Sequence, residues 1–110
     1  MLLPKQKIVR SEKHRRFIAS LPCIICGGID TQCCHVRLNT GGGMGLKPSD
    51  EYCLSLCVGC HQTQHIVGEV RFYYGRGGHE KASILAKSLY EVTGNTDEAL
   101  TRIAKWKQRT

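Results

Sequence analysis

Apolar residues recur at helical spacing in some stretches of the chain and alternate in others, and this pattern predicts its elements. Between Ser11 and Leu21, Phe17, Ile18 and Leu21 fall on one helical face, with Ser11 placed to cap the helix and Glu12 in its first turn. Pro22 ends that helix. Thr31 to Leu38 reads as a short strand. Tyr52 to Leu56 alternates, with Leu54 and Leu56 on one side, as suits a strand returning antiparallel to the first. Between them lies a glycine-rich loop, Asn39-Thr40-Gly41-Gly42-Gly43-Met44-Gly45, closed by Lys47-Pro48-Ser49-Asp50. It is neither a Walker A sequence nor a dinucleotide fingerprint, and it reads as a hairpin connection. His61 to about Val67 meets no breaker before Gly68 and predicts a helix. Residues 69–78 are aromatic, then glycine-rich and basic. His79 to Val92 is amphipathic through Ala82, Leu85, Ala86 and Leu89. After a break at Gly94-Asn95, Thr96 caps a last helix carrying Ala99, Leu100, Ile103 and Trp106.

The expected fold is therefore α+β. A basic arm over residues 1–10 (Lys5, Lys7, Arg10) precedes a single domain over 11–110, with a core at about 21–68 and two C-terminal helices at about 79–108. A domain of 110 residues buries a limited core, for which metal staples are a common remedy. The net charge of +7 suits a polyanionic partner, with nucleic acid ahead of a membrane surface, and by itself suits a merely solvated basic exterior about equally. Lys13, His14, Arg15 and Arg16 make the first helix basic, either as a solvated face or as phosphate contacts. No stretch approaches the ~20 apolar residues of a membrane span, and Met1-Leu2-Leu3 is cut off by Pro4, so a cytoplasmic, reducing setting is expected. There, seven cysteines point to metal binding rather than disulfides.

Four of those cysteines form two Cys-x-x-Cys pairs, Cys23/Cys26 and Cys57/Cys60, separated by 30 residues. Each pair can supply two corners of a tetrahedral zinc site, and Gly27-Gly28 lets the first turn back on its sulfurs. The interval is longer than in compact zinc ribbons, so the hairpin fits inside it. A thioredoxin-like redox role lacks its βαβ context. Cys53 is either a small core residue or a substitute zinc ligand, and Cys33 has no assigned role. His61 and His65, at i and i+4, project from one helix face and can share a second metal, with His35 on the facing strand. His14 and His79 lack such company and read as surface residues.

Leu-Pro-Cys-x-x-Cys-Gly at Leu21–Gly27, His-hydrophobic-Arg at His35–Arg37, Gly-Met-Gly-x-Lys-Pro-x-Asp at Gly43–Asp50, and Leu-Cys-x-x-Cys-His followed by His65 together resemble the HNH nucleases, the ββα-metal fold. The likeness covers roughly residues 13–75 and is nearest to small prophage-encoded HNH proteins related to the recombination-enhancement nuclease family. It implies a small ββα-metal core with a four-cysteine zinc site, flanked by the N-terminal helix and the two C-terminal helices. It also implies a DNA endonuclease, leaving 5′-phosphate and 3′-hydroxyl ends. His35 falls on the family's general base, His61 on its last histidine, and His65 on an extra metal ligand of some members. Position 34, usually Asp or His and a ligand of the catalytic ion, is Cys34. The family's middle Asn has no counterpart: register places Tyr52 there, with Asp50 the nearest polar residue.

On this reading one divalent ion (magnesium, manganese, nickel or zinc), held by His61, His65 and Cys34, neutralises phosphodiester charge, and His35 takes a proton from water. A backbone carbonyl or Asp50 sets the His35 tautomer. Arg37, Lys47, Arg71 and Arg76, with Arg15 and Arg16, are the expected DNA contacts. The alternative is a non-catalytic, zinc-stapled nucleic-acid-binding module, which the cysteines, the charge and the aromatic-basic stretch 71–76 serve equally well.

Overall fold

Ser11 opens the first helix, α1 (Glu12–Ala19), as the pattern predicts: its backbone is extended and its hydroxyl accepts the His14 N–H at 3.1 Å. The computed structural model describes residues 9–36 and 49–108. The glycine-rich loop, most of the basic arm, Arg37 and Lys47 lie outside the described residues. After α1 the chain turns through the first cysteine pair into β1 (Thr31–His35). A single 3-10 turn (Asp50–Tyr52) leads into β2 (Cys53–Cys57). The helices α2 (Val58–Val67), α3 (Glu69–Tyr74), α4 (Gly78–Glu91) and α5 (Thr96–Lys107) follow.

The two strands form the predicted antiparallel hairpin, with Thr31 opposite Cys57 and His35 opposite Cys53. Directly opposed residues share a face, so Cys33, His35, Cys53 and Ser55 lie on one side and Cys34, Leu54 and Leu56 on the other. The knuckle is tied to the hairpin: Ile24 N–H donates to Ser55 O at 3.0 Å, and Ser55 Oγ donates to Pro22 O at 2.7 Å. Thr31 Oγ1 reaches Leu21 O at 2.6 Å, joining the end of α1 to the start of β1. Ile18, Leu21, Ile24, Leu54 and Leu56 are buried together with Leu85, Leu89 and Ile103 of the C-terminal helices, so one core runs from the hairpin to α5. Among the described residues no helix is long and apolar enough to cross a membrane.

Three local expectations need correction, and one helix is new. The α2 helix begins at Val58, inside the second cysteine pair, because Cys57 itself is its N-cap. Residues 69–74 are a helix, α3, set off by Gly68 at φ +87°. The last helix is capped by Asn95, whose side chain accepts the Glu98 N–H at 3.1 Å, rather than by Thr96. His14 is fully buried: its Nδ1 lies 2.7 Å from Thr93 Oγ1 and its ring meets Tyr90 edge-on. Burial pulls its pKa below the ordinary imidazole value, against an opposing effect of Asp50.

Candidate functional site

Two turns bring the four cysteines together. In the first, Cys23 N–H donates to Gly28 O and Gly27 N–H to Cys23 O, both at 2.9 Å, with Gly27 at φ +76°, a conformation that suits glycine. In the second, Cys57 ends β2 and Cys60 sits in the first turn of α2, its N–H 3.5 Å from Cys57 Sγ. All four sulfurs lie within 4.8 Å of one another, and Cys26 Sγ is 3.6 Å from Cys57 Sγ. This cluster could hold a metal ion. Burial opposes ionisation of Cys23, but the amides of Cys26, Cys57 and Ile25 outweigh it and bring the thiol down to about 6. Burial and the adjoining sulfurs push Cys60 the other way. One sulfur thus takes the charge while a neighbour keeps its proton, and a divalent cation is what lets such sulfurs ionise together. Cys53 is not among the four; it is a buried residue of the hairpin.

At the other end of the hairpin His35 meets Asp50. Since His35 pairs with Cys53, the turn just before Cys53 carries Asp50 round to the ring, with His35 Nε2 2.8 Å from Asp50 Oδ1. The other oxygen, Oδ2, accepts the Ser11 N–H at 2.7 Å and lies 3.5 Å from Arg15 Nε. Arg10 stands 3.8 Å from Oδ1. The Asp50 side chain is 1% exposed. Burial disfavours its charged form, but His35, the Ser11 amide and Arg15 outweigh burial and hold the carboxyl below its ordinary value. An ionised carboxylate only accepts, so His35 Nε2 carries the proton and Nδ1 of the neutral ring keeps a free lone pair.

Cys53 Sγ lies within 4.8 Å of the ligand atoms of both His35 and Asp50. Its hydrogen bond with Cys33, and then burial, push its pKa far up. Arg10 and Arg15 stand beside the carboxylate at 3.8 and 3.5 Å, so the charge nearest this group is already positive.

His61 and His65 meet as their spacing predicts, Nε2 to Nε2 at 3.0 Å. Gln32 of β1 fixes the first ring: its Oε1 accepts from His61 Nδ1 at 2.8 Å, leaving the lone pair of the neutral ring on Nε2. Burial, and then His65, lower the His61 pKa, which favours that neutral form. Cys34 does not join the pair, contrary to expectation. It lines the same cavity but is buried beside Leu54, its thiol donates toward Gln32 O at 3.6 Å, and burial pushes it up to about 12. Among the described residues its sulfur completes no three-ligand group with the two imidazoles.

His35, His61 and His65 line one open cavity of about 1050 Å³ together with Cys33, Cys34 and Gln64, and it is walled further by residues 67–71 and by Tyr74 and Gly75. Of the expected DNA contacts, Arg71 lines this cavity. Arg15 pairs with Asp50, and Arg16 with Glu12 at 2.7 Å on the exposed face of α1. Arg76 folds back over the Phe72 ring and donates to Phe72 O at 3.1 Å. Sequence reasoning missed Gln32 and Ser11 as positioning groups. For Gln32 the signal was present: it lies two residues before Cys34 on the same strand face.

The fold and site define an α+β unit with a four-cysteine cluster and a histidine-lined cavity. Residues 1–78 match the family described as "Protein of unknown function (DUF968)", and the chain belongs to that family. It is also similar to "Uncharacterized protein YdfU" of Escherichia coli (strain K12), 35% identical over 65 residues, which is 59% of this chain. The matched segment is 19% of that relative's length. No solved structure matches.

Proposed function

We propose that this chain is a metal-dependent endonuclease of the HNH type that hydrolyses DNA phosphodiester bonds. One observation carries the reading: a His35 ring oriented by buried Asp50 and a convergent His61–His65 pair line the same cavity. Asp50 takes the His35 Nε2 proton as a hydrogen bond, so Nδ1 can accept a proton from an attacking water. His61 and His65 are the residues that would hold a divalent ion through Nε2, with Gln32 setting the tautomer of the first. When bound, such an ion supplies charge neutralisation at the phosphate and the leaving oxygen. Two imidazoles suit manganese, nickel or zinc better than magnesium, which prefers oxygen ligands. Arg71, which lines the cavity, would clamp a flanking phosphate.

The four-cysteine cluster is assigned to structural zinc. Thiolates 2.3 Å from zinc at tetrahedral corners stand about 3.8 Å apart, close to the 3.6 Å between Cys26 and Cys57. Cys34, buried with its thiol on Gln32 O, favours the competing reading, a zinc-stapled DNA-binding module, since it leaves two protein ligands at the second metal.

The deciding experiment is plasmid nicking with each of the four metals by native protein and by His35→Ala, with zinc content measured in both. Metal-dependent nicking that disappears in His35→Ala while zinc is retained supports the nuclease. Salt-sensitive DNA binding without cutting by native protein under any metal supports the binding module instead.

A further inference from the structure

Beyond the histidines, the cavity has a wall of which the chemistry above uses only Arg71. It is built from the end of α2 and from α3, and it carries three exposed apolar side chains: Val67, Val70 and Tyr74 are 38%, 53% and 82% exposed. Three large apolar side chains left open on one wall of one cavity differ from hydrophobic residues scattered singly over a surface. Gly68 and Gly75 bound this short helix and line the cavity too, so no side chain screens the wall at either end. Arg71 stands among them, and Glu69 begins the same wall.

A paired duplex has little to give such a wall. Its base faces are stacked on one another, and it offers phosphate, sugar and base edges. A nucleotide out of its pair offers a base face that an aromatic ring can stack on, with its phosphate left for a cation. We propose that the α3 wall is a subsite for one unpaired nucleotide next to the scissile phosphate. The base would lie against Tyr74, Val70 and Val67, and its phosphate on Arg71. Glu69 repels a phosphate, which directs the backbone to the Arg71 side. The substrate class that follows is DNA carrying a single-stranded or bulged segment, in preference to continuous duplex. This rests on the nuclease reading for the word scissile; the subsite itself is a binding claim that can be tested without cutting.

Tyr74 is exposed enough that Tyr74→Ala leaves the core untouched. Native protein and Tyr74→Ala, with no divalent ion added, would be titrated against three DNAs carrying one 2-aminopurine: a single strand, a duplex with the probe in a two-nucleotide bulge, and the fully paired duplex. The expected result is tighter binding and probe quenching with the two unpaired DNAs. Tyr74→Ala should weaken those two by about 5- to 100-fold, the range for losing one base–aromatic stack, and change the duplex by less than twofold. Equal affinity for all three DNAs, or an equal loss for all three in Tyr74→Ala, would overturn the proposal. So would a dimer in sedimentation that Tyr74→Ala converts to monomer, which assigns the wall to a second copy of the chain. If native protein binds as expected but cuts nothing with any metal, the nuclease reading fails and the subsite stands.

Discussion

Asp50→Asn separates a catalytic orientation from a structural one, and the geometry says how. The native carboxylate accepts two strong hydrogen bonds, from Ser11 N–H at 2.7 Å and from His35 Nε2 at 2.8 Å. An amide of the same shape has one oxygen and one NH2. The Ser11 N–H cannot reverse, so the oxygen is drawn to Ser11 and the NH2 faces His35 Nε2. That contact is favourable only if the ring moves its proton to Nδ1, the atom that should receive the water proton.

The stability cost should be that of one charge-assisted hydrogen bond, about 1.5–3 kcal/mol. Arg10 and Arg15 add little, being nearly half exposed. The cost in cutting should be far larger, about 10²- to 10⁴-fold, since a wrongly fixed histidine tautomer in a hydrolytic triad costs about 10⁴. Initial nicking rates with manganese, beside urea unfolding of the same samples, measure both. An Asp50→Asn protein that cuts within threefold of native, at whatever stability, refutes the assignment of His35 as an oriented base. Acid unfolding checks the charge itself. The folded Asp50 pKa is depressed, so its stabilisation is complete above the unfolded value of about 3.9 and is lost as pH falls through the folded value. Asp50→Asn should lack that step.

Three further expectations follow from other parts of the molecule. Chelation or Cys26→Ser should release one metal per chain and lower the melting temperature sharply, as metal analysis and circular dichroism would show; retained metal at full occupancy in Cys26→Ser would contradict a four-sulfur site. His14 has a depressed folded pKa, so native stability should fall as pH drops below about 6.5, and His14→Phe should flatten that slope in melts compared at pH 8 and pH 5. Gly68→Ala, at φ +87° and ψ 154°, should cost about 1–3 kcal/mol in urea unfolding without any side-chain clash; an unchanged midpoint would mean that α3 shifts freely against α2.

What the sequence disclosed is what local geometry decides. The x-x spacing of each cysteine pair, the i,i+4 histidines and the Ser11 cap each depend on a few adjacent residues. The antiparallel hairpin was legible from the alternation of Leu54 and Leu56. His14 was not, because it stands between Lys13 and Arg15 on a basic helix and its partners Thr93, 79 residues away, and Tyr90 come from the far end of the chain. The α3 helix was hidden by its length, six residues between two glycines, too short for a period to register. Cys34 is a different case. Strand alternation places it on the face of Gln32, which reaches His61, but the Cys34 thiol bonds the Gln32 carbonyl, a contact that motif position does not foretell.

The same alternation gives the four-cysteine cluster a role beyond stability. Cys57 pairs with Thr31 at one end of the hairpin, and His35 with Cys53 at the other. Four residue steps separate them, about 13 Å along a strand. A hairpin of five pairs is a weak unit alone, and a slip of one residue would move His35 to the face that now holds Cys34 and Gln32. A metal on the four sulfurs would lock Cys57, and through it the register on which the His35–Asp50 contact depends. Metal loss should therefore abolish cutting before it unfolds the chain. Partial chelation followed by nicking rate and circular dichroism together would show it: activity should fall in proportion to metal removed while helix signal persists, and a loss of both in parallel would mean that the metal serves the fold alone.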